Sequence, residues 1–333
     1  MHQISLGKVN HLKLLVTGGA GFIGSHFVRM CLTQELGVSQ VVVLDALTYA
    51  GNIQNLVSIQ NDPRYELHVG DICSYEKLDE IMESVNAVVH FAAESHVDNS
   101  IKSPFQFMKT NVVGTQNLLE KARLAKIERF VHVSTDEVYG SISYGSWREN
   151  ELLKPNSPYS ASKAASDLIA LAYAKTYALD VCVTRSSNNY GPYQFPEKLI
   201  PLFITNIIRG LKVPLYGTGN NVRDWIHVDD HCRAIFAVLT GGKSGEIYNI
   251  GGANEITNIE LTHFILGLMG RGESEISFVE DRLGHDLRYS VDTGKIQADL
   301  NYYPKIEFKS GLNATIEWYN GNHGWWEPLV KYD

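Results

Sequence analysis

Two textures of apolar positions alternate along the first half of the chain. Short runs rich in Val, Leu and Ile occur at residues 13–17, 41–44, 87–91, 131–133 and 181–185, and a mixed stretch at 66–69 reads as a further strand. An apolar run without a polar alternate face is the pattern of a strand buried on both sides. Between these runs, residues 25–32 and 104–125 carry apolar positions at helical spacing, with Pro104 suited to a first turn, and a further helix opens at 157–163. Strand and helix in alternation predict an α/β fold with a parallel, Rossmann-type doubly wound sheet. Ligands of such sheets sit at the carboxyl ends of the strands.

The texture changes at Ser186, where Ser-Ser-Asn-Asn-Tyr-Gly-Pro-Tyr-Gln-Phe-Pro is polar and turn-rich. Helices are expected at 198–209, 229–240 and 259–269, with a last one from about Ser310 to Tyr319. Strands are expected at 222–228 and 246–250, the second placed to return to the main sheet. The division read from this is a dinucleotide-binding domain over 1–185 with a returning segment near 222–250, and a smaller substrate-binding α/β domain over 186–221 and 251–333. A chain of 333 residues is long enough for two unequal cores.

Chemistry gathers where the strands end. The first run leads into Gly18-Gly19-Ala20-Gly21-Phe22-Ile23-Gly24 and then a helix. Glycines let a phosphate or a neighbouring strand approach the backbone, and the following helix N-terminus offers free N–H groups to a pyrophosphate. The G-x-x-G-x-x-G spacing is that of the short-chain dehydrogenases/reductases. Asp45 ends the second run about twenty residues on, where a carboxylate accepts ribose hydroxyls and repels a 2′-phosphate, favouring NAD over NADP. Asp71 and Ile72 are placed to flank an adenine, and Ala92 and Ala93 are small enough for a cofactor to lie against. After the run at 131–133 come Thr135, Asp136 and Glu137. Two adjacent carboxylates can be driven to different protonation states, one acid and one base; alone, they read equally as solvated loop charges. Tyr159 and Lys163 stand at i and i+4, neighbours on one helical face. An ammonium beside a phenol stabilises the phenolate, so a lowered tyrosine pKa is expected.

Composition narrows the class. A net charge of −8 argues against a nucleic-acid or anionic-membrane surface. Cys31, Cys73, Cys182 and Cys232 are scattered without C-x-x-C spacing, so buried free thiols are expected rather than disulfides or a metal site. Neither a signal peptide nor an eighteen-residue apolar span is visible, and a cytoplasmic protein is expected.

The segments 18–24, 45–52, 92–98, 134–140, 157–163, 188–201, 223–225 and 281–286 together resemble the dTDP-glucose 4,6-dehydratases, a family of the extended short-chain dehydrogenase/reductase superfamily. The resemblance covers nearly the whole chain, and Thr135-Asp136-Glu137 is its discriminating motif. It implies NAD as cofactor, dTDP-glucose as substrate, and a homodimer built on the helices at 104–125 and 158–178. It implies that Tyr159 and Lys163 serve C4 oxidation, that Glu137 removes the C5 proton, and that Asp136 protonates the departing O6. Thr135 would bind the sugar near O4. By the same resemblance Phe22, Ile23, Ala46, Leu47, Thr48, Phe91, Ser95, Thr110 and Asn189 join the cofactor site. Ser95, Asn188, Lys198, Leu199, Pro214, Leu215, Tyr216, Arg223, Asn258, Asp281, Arg282 and His285 line the nucleotide-sugar site. Asn99 and Leu283 stand where the family often has arginine and proline. The ending 322–329 is similar to dehydratases that serve deoxysugars of bacterial natural products. Two other classes compete: a nucleotide-sugar 4-epimerase, which needs only the tyrosine–lysine redox step, and a non-catalytic dinucleotide-binding module.

Overall fold

A computed structural model describes residues 12–281 and 284–330. Its first half runs β1 (Leu12–Thr17), α1 (Phe22–Thr33), β2 (Val38–Asp45), β3 (Tyr65–Val69), α2 (Leu78–Ser84), β4 (Ala87–His90), α3 (Val97–Lys102), α4 (Pro104–Phe107), α5 (Thr115–Leu124), β5 (Arg129–Thr135), α6 (Pro158–Tyr177) and β6 (Val181–Ser186). After this come β7 (Asn188–Tyr190), α7 (Leu199–Ile208), β8 (Val213–Tyr216), β9 (Val222–His227), α8 (Val228–Gly241), β10 (Ile247–Ile250), β11 (Glu255–Thr257), α9 (Asn258–Leu268) and β12 (Ile276–Val279). The chain closes with α10 (Gly294–Leu300), α11 (Phe308–Gly321) and α12 (His323–Trp326).

Seven strands form one parallel sheet in the order β10-β6-β5-β4-β1-β2-β3. The order reverses between β1 and β4, and the crevice there is where a doubly wound sheet takes its ligand. Both faces of the inner strands are covered, which is why β1, β2 and β4 are nearly continuous apolar runs: Leu14, Val16, Val41 and Val43 pack to one side, Leu15, Val42, Leu44 and Val88 to the other, while the edge strand β3 is mixed and half-exposed. Of the segment expected to return to the sheet, β10 does so beside β6. The strand at β9 does not; it pairs with β7 and β11 in a separate three-stranded sheet, while β8 and β12 form a third. A distinct core of Ile200, Phe203, Trp225, Leu261, Leu312 and Trp326 lies under these smaller sheets.

The helix expected from Pro104 onward is not uniform. Between α4 and α5 the residues Met108–Gly114 make a π-helical stretch, a widened turn of the kind that gathers at functional sites. The turn carries Asn111, 1% exposed, whose Oδ1 accepts from the Glu94 N–H at 2.8 Å. Its Nδ2 donates to the Glu94 carbonyl and to Ser162 Oγ, tying the loop after β4 to α6. The start of α6 is set locally: Ser157 caps it, Pro158 takes its first turn, and Ser157 and Ser160 bond each other reciprocally. No helix among the described residues is long and apolar enough to cross a membrane. Cys31, Cys182 and Cys232 are buried free thiols as expected, but Cys73 is half-buried.

Candidate active site

A cavity of about 550 Å³ opens along the carboxyl ends of the main sheet and continues under the smaller sheets. At its sheet end the glycine loop comes within contact of the strand beside it. Gly18 has φ +69, and a Cβ there would lie 2.6 Å from the Ala92 nitrogen; one on Gly24 would lie 2.2 Å from the Gly18 carbonyl oxygen. Any other residue would fill the space between loop and helix N-terminus. Asp45 closes β2 with both carboxylate oxygens engaged, accepting from Ala20 N–H at 2.9 Å and Leu47 N–H at 2.8 Å. Burial pushes this carboxyl up, and those two N–H groups pull against it. Gly18, Gly21, Phe22, Ile23, Gly24, Asp45, Ala46, Thr48, Asp71, Ile72, Phe91, Ala92, Ala93, Ser95 and Thr110 all line the cavity. Leu47 does not; at φ +48 it turns its backbone N–H onto Asp45, so it orients the carboxylate instead of facing a ligand.

The acid pair and the tyrosine–lysine pair converge on the same cavity from β5 and α6. Asp136 is 3% exposed. Burial, reinforced by the neighbouring charges of Glu137 and Asp224, holds its carboxyl well above the usual carboxylate range. Its Oδ2 is buried and has no hydrogen-bond partner among the described residues. Thr135 Oγ1 accepts from the Glu137 N–H at 3.3 Å, which turns the Glu137 backbone at the strand end.

The phenol of Tyr159 departs from expectation. Burial raises its pKa, and the adjacent Glu137 raises it further, against a hydrogen bond with Thr135. The expected lowering by Lys163 is absent because the ammonium points elsewhere, donating to the Val133 carbonyl at 2.8 Å. Burial pushes Lys163 down to about 8, opposed by the charge of Asp167 one turn along α6. Burial would raise Asp167 too, but its hydrogen bond with His132 and the nearby Arg185 outweigh that and hold it low. Arg185 Nε lies 2.9 Å from Asp167 Oδ2.

On the far side, Asn188, Asn189, Lys198, Leu199, Pro214, Leu215, Tyr216, Arg223, Asn258 and His285 line the cavity. Lys198 Nζ donates to the Ser95 carbonyl at 3.2 Å, a bond between the two halves of the cleft. Arg223 is buried and held by the Asp286 carbonyl, with its guanidinium 4.4 Å from the centre of the Tyr289 ring. Asp281 is not a lining residue; its Oδ1 lies 2.6 Å from His285 Nδ1 and so holds that ring. Arg282 and Leu283 lie outside the described residues. Residues that sequence reasoning missed also face the cavity, among them Glu94, Glu197, His231 and Tyr289. Tyr289 comes from a bridge segment beside β9 and lies close enough to Glu137 for that charge to raise its phenol, after burial. No local spacing signals such a contact. Among the described residues no group of three or more His, Cys, Asp or Glu could hold a metal.

Comparison with known proteins follows from this geometry. The family model described as GDP-mannose 4,6 dehydratase matches residues 15–315. The dTDP-glucose 4,6-dehydratase of Streptomyces niveus is 54% identical over 325 residues, covering 97% of this chain and 97% of that protein. The crystal structure of the dTDP-glucose 4,6-dehydratase of Streptomyces venezuelae, with NAD and a second ligand bound, is 57% identical with a TM-score of 0.95, covering 96% of this chain and 100% of the other. The UDP-glucose 4-epimerase of Thermotoga maritima shares the fold at 30% identity and a TM-score of 0.86, covering 93% of this chain and 99% of that one.

Proposed function

This chain belongs to the GDP-mannose 4,6-dehydratase family, and on that premise we propose that it converts dTDP-glucose to dTDP-4-keto-6-deoxyglucose, as an NAD-dependent lyase of the cytoplasm. The observation that carries this reading is the acid pair: Asp136, buried and with its carboxyl raised well above the usual range, stands beside Glu137 in the cleft that also holds Tyr159 and Lys163. A 4-epimerase needs the second pair alone; loss of water needs the first.

The residues at the sheet end fit a dinucleotide. Gly18 and Gly24 let the loop pack closely against the segment after β4 and against α1, which sets the N-terminus of α1 facing the cavity for a pyrophosphate, and Asp45 is placed for the adenosine ribose. NAD, when bound, supplies the hydride acceptor for C4 and the hydride that returns to C6. The chain's own work is proton handling. Tyr159 takes the O4 proton as the C4 ketone forms. Burial and Glu137 keep the phenol protonated in the free protein, and a positive charge bound beside it would offset them. The ketone acidifies the C5 proton, which Glu137 removes. Asp136 donates its proton to O6, which leaves as water. Thr135 bonds the sugar near O4. The main-sheet lobe holds the dinucleotide, and segments 186–221 and 251–330 together with β9 hold the nucleotide, with Arg223 of β9 and Lys198 meeting its phosphates.

Incubation with dTDP-glucose should generate the ultraviolet absorbance that a 4-keto sugar develops in alkali. Formation of dTDP-galactose without that absorbance would establish the epimerase instead.

The assembly follows from the surface. Phe105, Met108 and Val113 along α4 and the π-helical turn, with Leu168 and Tyr177 on α6, are large apolar side chains left exposed, Phe105 by 80%. Pairing these helices with a second copy across a two-fold axis makes a homodimer. Light scattering should give twice the chain mass, and Phe105→Asp combined with Leu168→Asp should yield a monomer. A wild-type monomer at micromolar concentration would refute the pairing.

A further inference from the structure

The mechanism leaves one buried, cavity-lining imidazole without a task. His231, in the first turns of α8, is 1% exposed and reaches the cleft. Its Nδ1 lies 2.8 Å from Asn189 Oδ1. The orientation of that amide is fixed independently. Asn189 Nδ2 donates to the Ser187 carbonyl at 3.0 Å and to Ser186 Oγ at 3.1 Å. A carbonyl can only accept, so the Asn189 nitrogen is on that side and its oxygen faces His231. The imidazole proton therefore sits on Nδ1, and Nε2 is a bare acceptor. Burial keeps the ring neutral, lowering it to about 3. That Nε2 is buried with no partner among the described residues. A buried acceptor left unmet is costly, which makes a ligand the natural source of its donor.

The place of this acceptor in the fold limits what the donor is. Ser186, which holds Asn189, is the register partner of Thr135 at the ends of β6 and β5. The imidazole thus stands at the redox end of the cleft. Asp45 and Asp71, at the adenosine end, lie across the sheet on the far side of β1. The nitrogen-borne donor of a nicotinamide is its carboxamide NH₂. Resting on the reading that NAD occupies this cleft, we propose that His231 Nε2 accepts a hydrogen bond from the nicotinamide carboxamide. His231 is then a positioning residue that fixes the rotation of the ring whose C4 must meet the sugar. Asn189 acts behind it by setting the tautomer.

The 3-acetylpyridine analogue of NAD tests this, because a methyl ketone replaces the carboxamide and carries no N–H. Purified protein exchanged against an equimolar mixture of NAD and the analogue is separated from free dinucleotide, and the bound pair is quantified by mass spectrometry. Wild type should retain NAD roughly tenfold over the analogue, the scale of one unmet buried acceptor. His231→Phe, which keeps ring volume without an acceptor, should bind both alike, and His231→Gln should recover part of the preference. In wild type, the ¹⁵N resonance of His231 Nε2 should also differ between the NAD-loaded and analogue-loaded forms. Equal retention by wild type, an undiminished preference in His231→Phe, or identical Nε2 resonances would overturn the assignment alone. Failure to take up either dinucleotide would overturn the cofactor reading with it.

Discussion

Tyr159→Phe should abolish hydride transfer while the protein still binds its dinucleotide. The substitution removes one oxygen from a side chain that is 8% exposed and changes the packing little. On the proposed mechanism it removes the group that takes the O4 proton, so C4 should not become a ketone and no later step should begin. The raised phenol adds a second expectation. A tyrosine held protonated by burial and by Glu137 would gain basic character from positive charge bound beside it, so the phenol acts as a base only in the loaded site. Reduced-nicotinamide absorbance after mixing with dTDP-glucose is the readout, with the dinucleotide content of the purified variant as control. Near-normal absorbance change in Tyr159→Phe would remove this residue from the mechanism.

Asp136→Asn should separate oxidation from dehydration. Burial, then Glu137 and Asp224, hold the carboxyl well above the usual carboxylate range, the direction that favours a general acid. Asparagine keeps its size but cannot donate an acidic proton to a departing hydroxyl. Dehydration should fall by roughly a hundredfold or more, the usual scale for losing a general acid. Tyr159 and Lys163 are untouched, so the variant should accumulate reduced nicotinamide and a 4-keto-glucose nucleotide that has not lost water. In Glu137→Gln, solvent deuterium should no longer exchange into C5. The division of roles between the two acids fails if Asp136→Asn dehydrates at the parent rate, or loses C4 oxidation as completely as Tyr159→Phe.

What could be read from the chain alone has a common physical basis: it was encoded within a few residues. Apolar runs specify strands buried on both faces, so five of the seven strands of the main sheet were foreshadowed by them. The glycine loop, Asp45 at a strand end, Thr135-Asp136-Glu137 and the Tyr159/Lys163 spacing are likewise local, and all line one cavity. Tertiary structure decided the rest, because protonation states and hydrogen-bond partners depend on neighbours distant in sequence. The spacing of Tyr159 and Lys163 placed them on one helical face, but only the fold showed the ammonium drawn to the Val133 carbonyl and the phenol raised by Glu137. The Asp136 carboxyl is raised by burial, then by Glu137 and by the charge of Asp224 from another sheet. A uniform helix was read where Asn111 needed a π-helical turn to reach Glu94 and Ser162. β9 fell in the segment near 222–250 expected to return to the main sheet, yet it found its partners in β7 and β11, since pairing is a choice among edges that no single segment contains. His231 and Tyr289 carry no motif, and they entered the site only when α8 and the segment beside β9 were folded against the ends of β5 and β6.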